Sequence, residues 1–112
     1  MKLFELNKNY YFHDSTILNF CYCENTHTLA VDISFCAWMQ DNYKKDQPEI
    51  TTMHLKFETV TEYTSDDSDF VDVDILQVNQ IDDNTLEFVT QDDCRECYIF
   101  KVTANEVTVR FE

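Results

Sequence analysis

Glycine is absent from the 112-residue chain, and Pro48 is its single proline. Phosphate-binding loops, dinucleotide-binding fingerprints and the nucleophile elbow of hydrolases all need glycine for their tight backbone geometry. The sequence therefore excludes these kinds of site. Turns must be built instead from asparagine and aspartate, which tolerate the left-handed backbone conformation better than most residues with a side chain.

Basic residues are scarce, since eight lysines and arginines stand against 22 aspartates and glutamates and give a net charge of −14. A surface of this sign repels the phosphates of nucleic acids and anionic membranes. It attracts basic partners, or it serves only to keep the chain in solution. We therefore expect no nucleic-acid or membrane partner, and we expect any protein partner to be basic.

Long apolar runs are also missing, and none approaches the roughly 18 residues of a membrane-spanning helix. The segment "MKLFELNKNYYF" has neither the apolar core nor the small-residue cleavage site of a signal peptide. We therefore expect a cytoplasmic protein. We also expect one β domain over residues 1–112, because a chain of this length can bury about 65% of its unfolded surface and so form a core.

Alternation with a period of two residues dominates the chain. In "TLAVDISFCAW", Leu29, Val31 and Ile33 share one face and Asp32 and Ser34 the other, as in a strand with one buried face. The same pattern recurs in "ITTMHLKFETVTEY", "FVDVDILQV", "TLEFVT", "CYIFKV" and "EVTVRF", and "CENTHT", "QIDDNT" and "TANE" are typical of turns. We predict an all-β fold, a single antiparallel meander of about 7–8 strands forming a barrel or two-layer sandwich. "KLFEL" fits a short strand or a helical turn.

Three adjacent residues, His13, Asp14 and Ser15, carry the side chains of a hydrolase triad. Neighbours on a strand point to opposite faces, so they cannot converge on one reacting atom. Asp14 and Ser15 side chains commonly bond backbone amides two or three positions on, and His13 can bond a neighbouring strand. We interpret the three as a structural turn motif, with partner binding as the alternative, and we predict no catalytic residue and no enzyme.

Five cysteines form two close pairs and one single residue. Cys21 and Cys23 share a strand face, Cys94 and Cys97 have the "CREC" spacing of metal and redox pairs, and Cys36 is expected on the outward face of its strand. Free thiols are the favoured interpretation, because the cytoplasm disfavours disulfides. We predict no cofactor. A tetrahedral zinc held by the two pairs is the alternative.

The run "DDSDFVDVD" and the aromatic residues after "TLAVDISFC" suggest a surface for a partner. A calcium loop would need a turn glycine and a closing glutamate that are missing at the right offsets. Aromatic anchors with a charged rim are typical of protein-binding hot spots. The alternative is that the aromatic residues belong to the hydrophobic core at its ends and that the acidic residues are only solvated. The residues expected to contact a partner are Trp38, Tyr43, Asp66, Asp67, Asp69, Asp72 and Asp74, with Tyr10, Tyr11 and Tyr22 as further members of an aromatic patch.

Residues 11–33, "YFHDSTILNFCYCENTHTLAVDI", resemble small uncharacterised bacterial proteins in which a Phe-His-Asp-Ser motif opens a strand. Some families with this pattern are described as immunity proteins of polymorphic toxin systems. The resemblance implies a cytoplasmic, non-catalytic binder of a toxin. The other hypothesis is a small β-barrel that binds a small ligand or a structural zinc. The oligomeric state stays open.

Overall fold

The computed structural model describes residues 1–66 and 70–112. Within them six strands form a closed antiparallel barrel in the order β1-β2-β3-β6-β5-β4. The all-β prediction is confirmed, and the architecture is a barrel. The elements are α1 (Leu3–Asn9), β1 (Thr16–Cys23), β2 (Thr28–Cys36), a 3₁₀ turn (Ala37–Met39), β3 (Ile50–Ser65), β4 (Val73–Asp82), β5 (Thr85–Gln91) and β6 (Cys97–Phe111).

The barrel consists of two three-stranded meanders, β1–β2–β3 and β4–β5–β6. Their long junction is the pairing of β3 with β6, which runs from Met53 opposite Phe111 to Ser65 opposite Phe100. Their short junction, the β1–β4 seam, contains only the pairs Thr16–Asp74 and Ile17–Val73 among the described residues. Consecutive strands are therefore neighbours within each half, and the chain crosses between halves after β3.

The predicted turn "TANE" lies inside β6, so the count of about 7–8 strands is wrong by at least one. Glu106 and Ala104 keep their pairing with β3 through this segment. The inward face changes in both strands at the same level. Phe57 and Val60 on β3 are both buried although they are three residues apart, and so are their partners Val107 and Ala104 on β6. The pairing of β3 with β6 therefore continues through a segment where a turn would interrupt it.

The start of β4 also differs from the prediction, which placed Val71 inside with Val73 and Ile75. Val71 is 40% exposed, whereas Val73 is 4% exposed and Phe70 is fully buried. Asp72 has a φ of 60°, a left-handed conformation that breaks the alternation. The strand therefore begins at Val73.

The open choice for "KLFEL" is resolved as a helix. Leu3 and Leu6 are fully buried, one turn apart on the same helix face. The backbone N–H of Lys2 donates to Glu5 Oε1 at 2.9 Å, which satisfies one of the unpaired donors at a helix start. No helix in residues 1–66 and 70–112 has the length and apolar character needed to cross a membrane.

Aromatic side chains fill the interior of the barrel. Phe57, Phe70, Phe88 and Phe100 are all fully buried. Phe88 stacks on Phe100 with ring centroids 4.6 Å apart and an angle of 8° between the planes, and Phe57 meets Phe88 edge-on at 6.3 Å. Stacked and edge-on rings of this kind make a packed core, as in a small barrel whose lumen is occupied by its own side chains.

Candidate functional site

Residues 12–15 extend the short β1–β4 seam. Asp14 has a φ of 65°, and the N–H of Ser15 donates to the carbonyl of Phe12 at 3.0 Å, which closes a tight turn. The N–H of Asp14 donates to the carbonyl of Ile75 at 3.0 Å, and the N–H of Ile75 donates to the carbonyl of Ser15 at 2.7 Å. The turn thus adds two backbone bonds to a junction that has only two strand pairs among the described residues.

The side chains of the motif point to three different partners. Ser15 is fully buried, and its Oγ accepts from the backbone N–H of Cys36 at 3.0 Å rather than from a local amide. His13 Nδ1 lies 2.7 Å from the carbonyl oxygen of Leu76 on β4, and its Nε2 lies 3.4 Å from Asp14 Oδ1. No substrate can reach the Ser15 hydroxyl, and the three groups do not converge.

The structure keeps the two cysteine pairs apart. Cys21 and Cys23 lie on β1, and Cys94 and Cys97 lie in the β5–β6 turn and at the start of β6. Two strands separate β1 from β6 in either direction around the barrel. Among the described residues no group of three or more His, Cys, Asp or Glu side chains is placed to hold a metal ion, and all five thiols are free.

Cys36 is buried at 8% exposure, so the expectation that it faces outward is wrong. The alternation of β2 ends with Phe35 and Cys36 both buried, where the chain turns into the 3₁₀ segment. Burial raises the pKa of the Cys36 thiol, the hydrogen bond with Ser15 lowers it, and the charges of Asp14 and Asp74 raise it further. These two carboxylates therefore lie close to the end of β2.

An open groove of about 860 Å³ lies at this end of the barrel, between the C-terminal turn of α1, residues 10–13, residues 39–42 and the β4 residues 76–78. A second groove of about 440 Å³ shares Asn9, Tyr10, Gln40 and Asn42 with the first. Gln40 joins their walls. Its Oε1 accepts from the N–H of Tyr11 at 2.8 Å, and its Nε2 donates to the carbonyl of Tyr11 at 2.7 Å.

Exposed aromatic rings stand on the grooves and beside them. Tyr11, on the wall of the larger groove, is 54% exposed, and Trp38 is 51% exposed. The N–H of Trp38 donates to the carbonyl of Glu49 at 3.0 Å, which anchors the 3₁₀ turn next to β3. Tyr43 lines the smaller groove, and its hydroxyl donates to the carbonyl of Gln47 at 2.9 Å.

The predicted acidic contacts lie at two different places in the fold. Asp72 and Asp74 flank the seam, where Asp74 Oδ1 accepts from Thr16 Oγ1 at 2.8 Å and the N–H of Asp72 donates to the carbonyl of Ile17. Asp66 follows the far end of β3, and its Oδ2 accepts from the N–H of Ile99 at 3.1 Å. Asp67 and Asp69 lie outside the described residues.

Asp66 and Trp38 therefore lie at opposite ends of β3. Asp66 follows the strand, and the backbone of Trp38 is hydrogen-bonded to Glu49, the residue just before it. The aromatic patch divides in the same way, because Tyr22 stacks on Tyr63 at 4.5 Å, and Tyr63 lies near the end of β3 where Asp66 follows. Only part of the predicted surface is therefore continuous with the grooves.

Sequence reasoning missed a cluster on the outer face of β2 and β3. His54 Nδ1 lies 2.6 Å from Asp32 Oδ1, and His54 Nε2 lies 3.1 Å from Glu112 Oε1, a charge contact outside hydrogen-bond angles. The bond to Asp32, followed by the contact with Glu112, raises the pKa of His54 above its ordinary 6.5. Asp32 is predicted on the outward face of its strand, and the alternation in "ITTMHLKFETVTEY" places His54 on an outward face as well. The register that pairs them depends on non-local strand alignment, which the sequence pattern does not give.

Comparison with known proteins found no matching family model, no matching curated protein and no matching solved structure. The resemblance of residues 11–33 to immunity proteins therefore stays a prediction from the sequence. The functional argument rests on the grooves, the exposed rings and the charge distribution described above.

Proposed function

We propose that this chain is a non-catalytic protein-binding domain that acts in the cytoplasm as an immunity-like protein, neutralising a basic toxin by covering its surface. The observation that carries the proposal is the pair of half-exposed rings, Tyr11 and Trp38, at the grooved end of a chain with a net charge of −14. Aromatic anchors beside a field of one sign give a binding surface both affinity and fast encounter.

Carboxylates near these rings supply the charged rim. Asp41 lines the larger groove, and Asp14 and Asp74 lie close to Cys36, two residues before Trp38. Such groups steer a basic partner and suppress partners of like charge. The remaining acidic residues contribute a long-range field around the barrel.

The local geometry supports a binding role over a catalytic one. Ser15 is buried as an acceptor for a backbone amide, so its hydroxyl is unavailable as a nucleophile. Both ring nitrogens of His54 face carboxylates, which favours the protonated ring and removes the lone pair that a general base needs. Five free thiols are consistent with a reducing compartment.

The alternative of a ligand inside the barrel receives no support from the described interior. Phe57, Phe88 and Phe100 fill it at zero exposure. The zinc version of this hypothesis needs the two cysteine pairs to meet, and they lie on strands on opposite sides of the barrel. Among the described residues that line the open grooves, no side chain has a buried polar atom without a hydrogen-bond partner that would point to a small molecule there.

The proposal is tested by immobilising the chain, passing over it a lysate of its source organism and eluting with rising salt. A basic protein released at intermediate salt is the expected result, because screening shortens electrostatic reach from about 10 Å at 0.1 M salt to about 3 Å at 1 M. An empty column, or a partner whose affinity is indifferent to salt, would contradict the proposal.

Matched variants then locate the interface on the purified pair. Trp38→Ala is expected to lower the affinity by about ten-fold or more, as for a hot-spot aromatic. Phe4→Ala is the control, because Phe4 is an exposed ring at 38% in the first turn of α1, whereas Trp38 lies in the 3₁₀ turn whose neighbouring residues line the grooves. Equal losses in both variants would remove Trp38 from the interface.

A further inference from the structure

The two edges of the β1–β4 seam are not equally covered. β1 pairs with β4 only at Asp74 and Val73 among the described residues, and the turn at residues 13–15 adds contacts to Ile75 and Leu76. On its other side β4 pairs with β5 as far as Asp82. Residues 77–82 of β4 therefore have a strand neighbour on one side only, within the part of the chain that the structure describes.

The larger groove runs along this uncovered edge. One wall consists of Leu76, Gln77 and Val78, and the facing wall contains Tyr11 and His13. The segment before His13 is not paired with β4, because the backbone N–H and carbonyl of Tyr11 are hydrogen-bonded to the Gln40 side chain instead of to a strand. The groove is the space between a half-paired strand and a segment that has turned away from it.

The direction of the backbone groups on the uncovered edge follows from the register. Ile75 directs its N–H and carbonyl toward the seam, and the register shift between Ile75 and Gln77 inserts one residue. Alternation along an antiparallel strand then directs the N–H and carbonyl of Val78 and Gln80 to the same uncovered side. These are the groups that an added strand would use.

The sequence of this edge lacks the residues that usually block an added strand, although α1 packs against β4 and its residues 7–9 line the groove. Residues 73–84, "VDILQVNQIDDN", contain Asp74, Asp82 and Asp83 and no lysine, arginine or proline, although lysine and proline are common blockers of strand edges. Its register shifts fall between Ile75 and Gln77 and between Gln80 and Asp82, so residues 77–80 are regular. Asp74, Asp82 and Asp83 at its ends, with Asp41 on the groove, outnumber Lys8, which also lines the groove, so the local charge favours an occupant with positive side chains.

We propose that an extended, basic segment of the protein partner adds to β4 in the larger groove, pairing with the backbone of Val78 and Gln80. This mode of recognition takes affinity from main-chain hydrogen bonds and specificity from alternate side chains. The inference rests on the proposed protein-binding function and specifies how the partner is held.

The test uses short synthetic peptides and the full chain, followed by amide NMR and hydrogen exchange. The probe peptide alternates lysine and threonine with blocked termini; one control has glutamate for lysine, and another is N-methylated at alternate residues on one edge. At saturating lysine peptide, exchange at the Val78 and Gln80 amides is expected to slow by about ten-fold or more. The glutamate and N-methylated peptides are expected to bind about ten-fold more weakly or not at all.

A variant pair tests the same edge from the protein side. Gln80→Pro removes an N–H on the unpaired side of β4, where proline is tolerated because the strand edge is open, whereas Gln80→Ala retains that N–H. Loss of peptide binding in the proline variant alone supports strand addition, provided that both variants keep the thermal midpoint of the parent within a few degrees. The N-methylated peptide gives the same information on the unaltered chain if Gln80→Pro fails to fold.

Two outcomes would overturn strand addition. One is no response to the lysine peptide. The other is a response at the Trp38 indole without protection of the Val78 and Gln80 amides, which would place the peptide elsewhere. Neither outcome decides the proposed function, whose separate test is the salt-dependent capture of a basic protein.

Discussion

Replacing Ser15 by alanine removes one oxygen from the buried part of the seam. The Ser15 side chain is fully buried, and its Oγ is the acceptor for the N–H of Cys36 at 3.0 Å. The alanine leaves that N–H without its partner in a region that water does not reach. An unsatisfied buried donor costs about 1–3 kcal/mol, so we expect the free energy of unfolding to fall by about 2 kcal/mol.

For a domain of this size about 2 kcal/mol corresponds to a drop of about 8 °C in the thermal midpoint. Urea unfolding followed by tryptophan fluorescence and circular dichroism measures the change, with an unchanged m-value as the sign of a native-state effect. Ser34→Ala is the control. Ser34 is half-buried on β2, the strand that contains Cys36, and its substitution should change the free energy of unfolding by less than about 0.5 kcal/mol. Equal effects of the two substitutions would refute the structural role of the Ser15 hydroxyl.

Two further predictions concern strain and pH. Thr59 has a φ of 55°, which is unfavourable for a β-branched residue. Thr59→Gly should therefore raise the free energy of unfolding by about 1 kcal/mol, whereas the control Thr64→Gly on the same strand should lower it. A lower free energy of unfolding in both variants would show that Thr59 is unstrained. Asp32 and then Glu112 raise the pKa of His54 above 6.5, so its stabilisation is fully present below pH 6.5 and is lost as the pH rises through the raised value. The urea midpoint of His54→Gln should therefore lie furthest below that of the parent in acid and approach it in mild alkali, and a constant difference would contradict the assignment.

Much of the barrel was predictable because its strands have one wet face and one buried face. The alternation in "TLAVDISFC" matches β2 from Leu29 to Phe35, with Val31 and Ile33 fully buried. The turn "CENTHT" joins β1 to β2 as expected, with Cys23 opposite Thr28. A period of two is a local property of a strand, so a local pattern is enough to find it.

The errors have a different origin, because they depend on partners far away in the sequence. "TANE" resembles a turn, but its pairing with β3 continues it as a strand. Cys36 follows the outward parity of its strand, but the approach of Ser15 from β1 covers it. The grooves depend on Tyr11, Gln40 and Val78 meeting, and none of these residues carries a local signal of a site.

Residues with a left-handed backbone also divide into those that local sequence explains and those that depend on distant partners. The absence of glycine led to the expectation that aspartate and asparagine would occupy them, and Asp14 and Asp72 do. His27, Thr59 and Arg95 also have positive φ, and of these three only histidine is a residue type enriched in the left-handed region. The N–H of Val60, next to Thr59, bonds the carbonyl of His27 at 2.8 Å, so tertiary pairing holds at least this pair in place.

The division of the barrel into halves has a consequence for its synthesis on the ribosome. β3 is complete long before β6, its partner along the long junction, has been made. During that interval the nascent half-barrel has a long open edge, which is the kind of surface that promotes misassembly. Lys56, Glu58 and Glu62 lie along that edge strand, where charged side chains act as gatekeepers against aggregation. Charged residues on β3 therefore oppose pairing of this edge with another chain before β6 has been made.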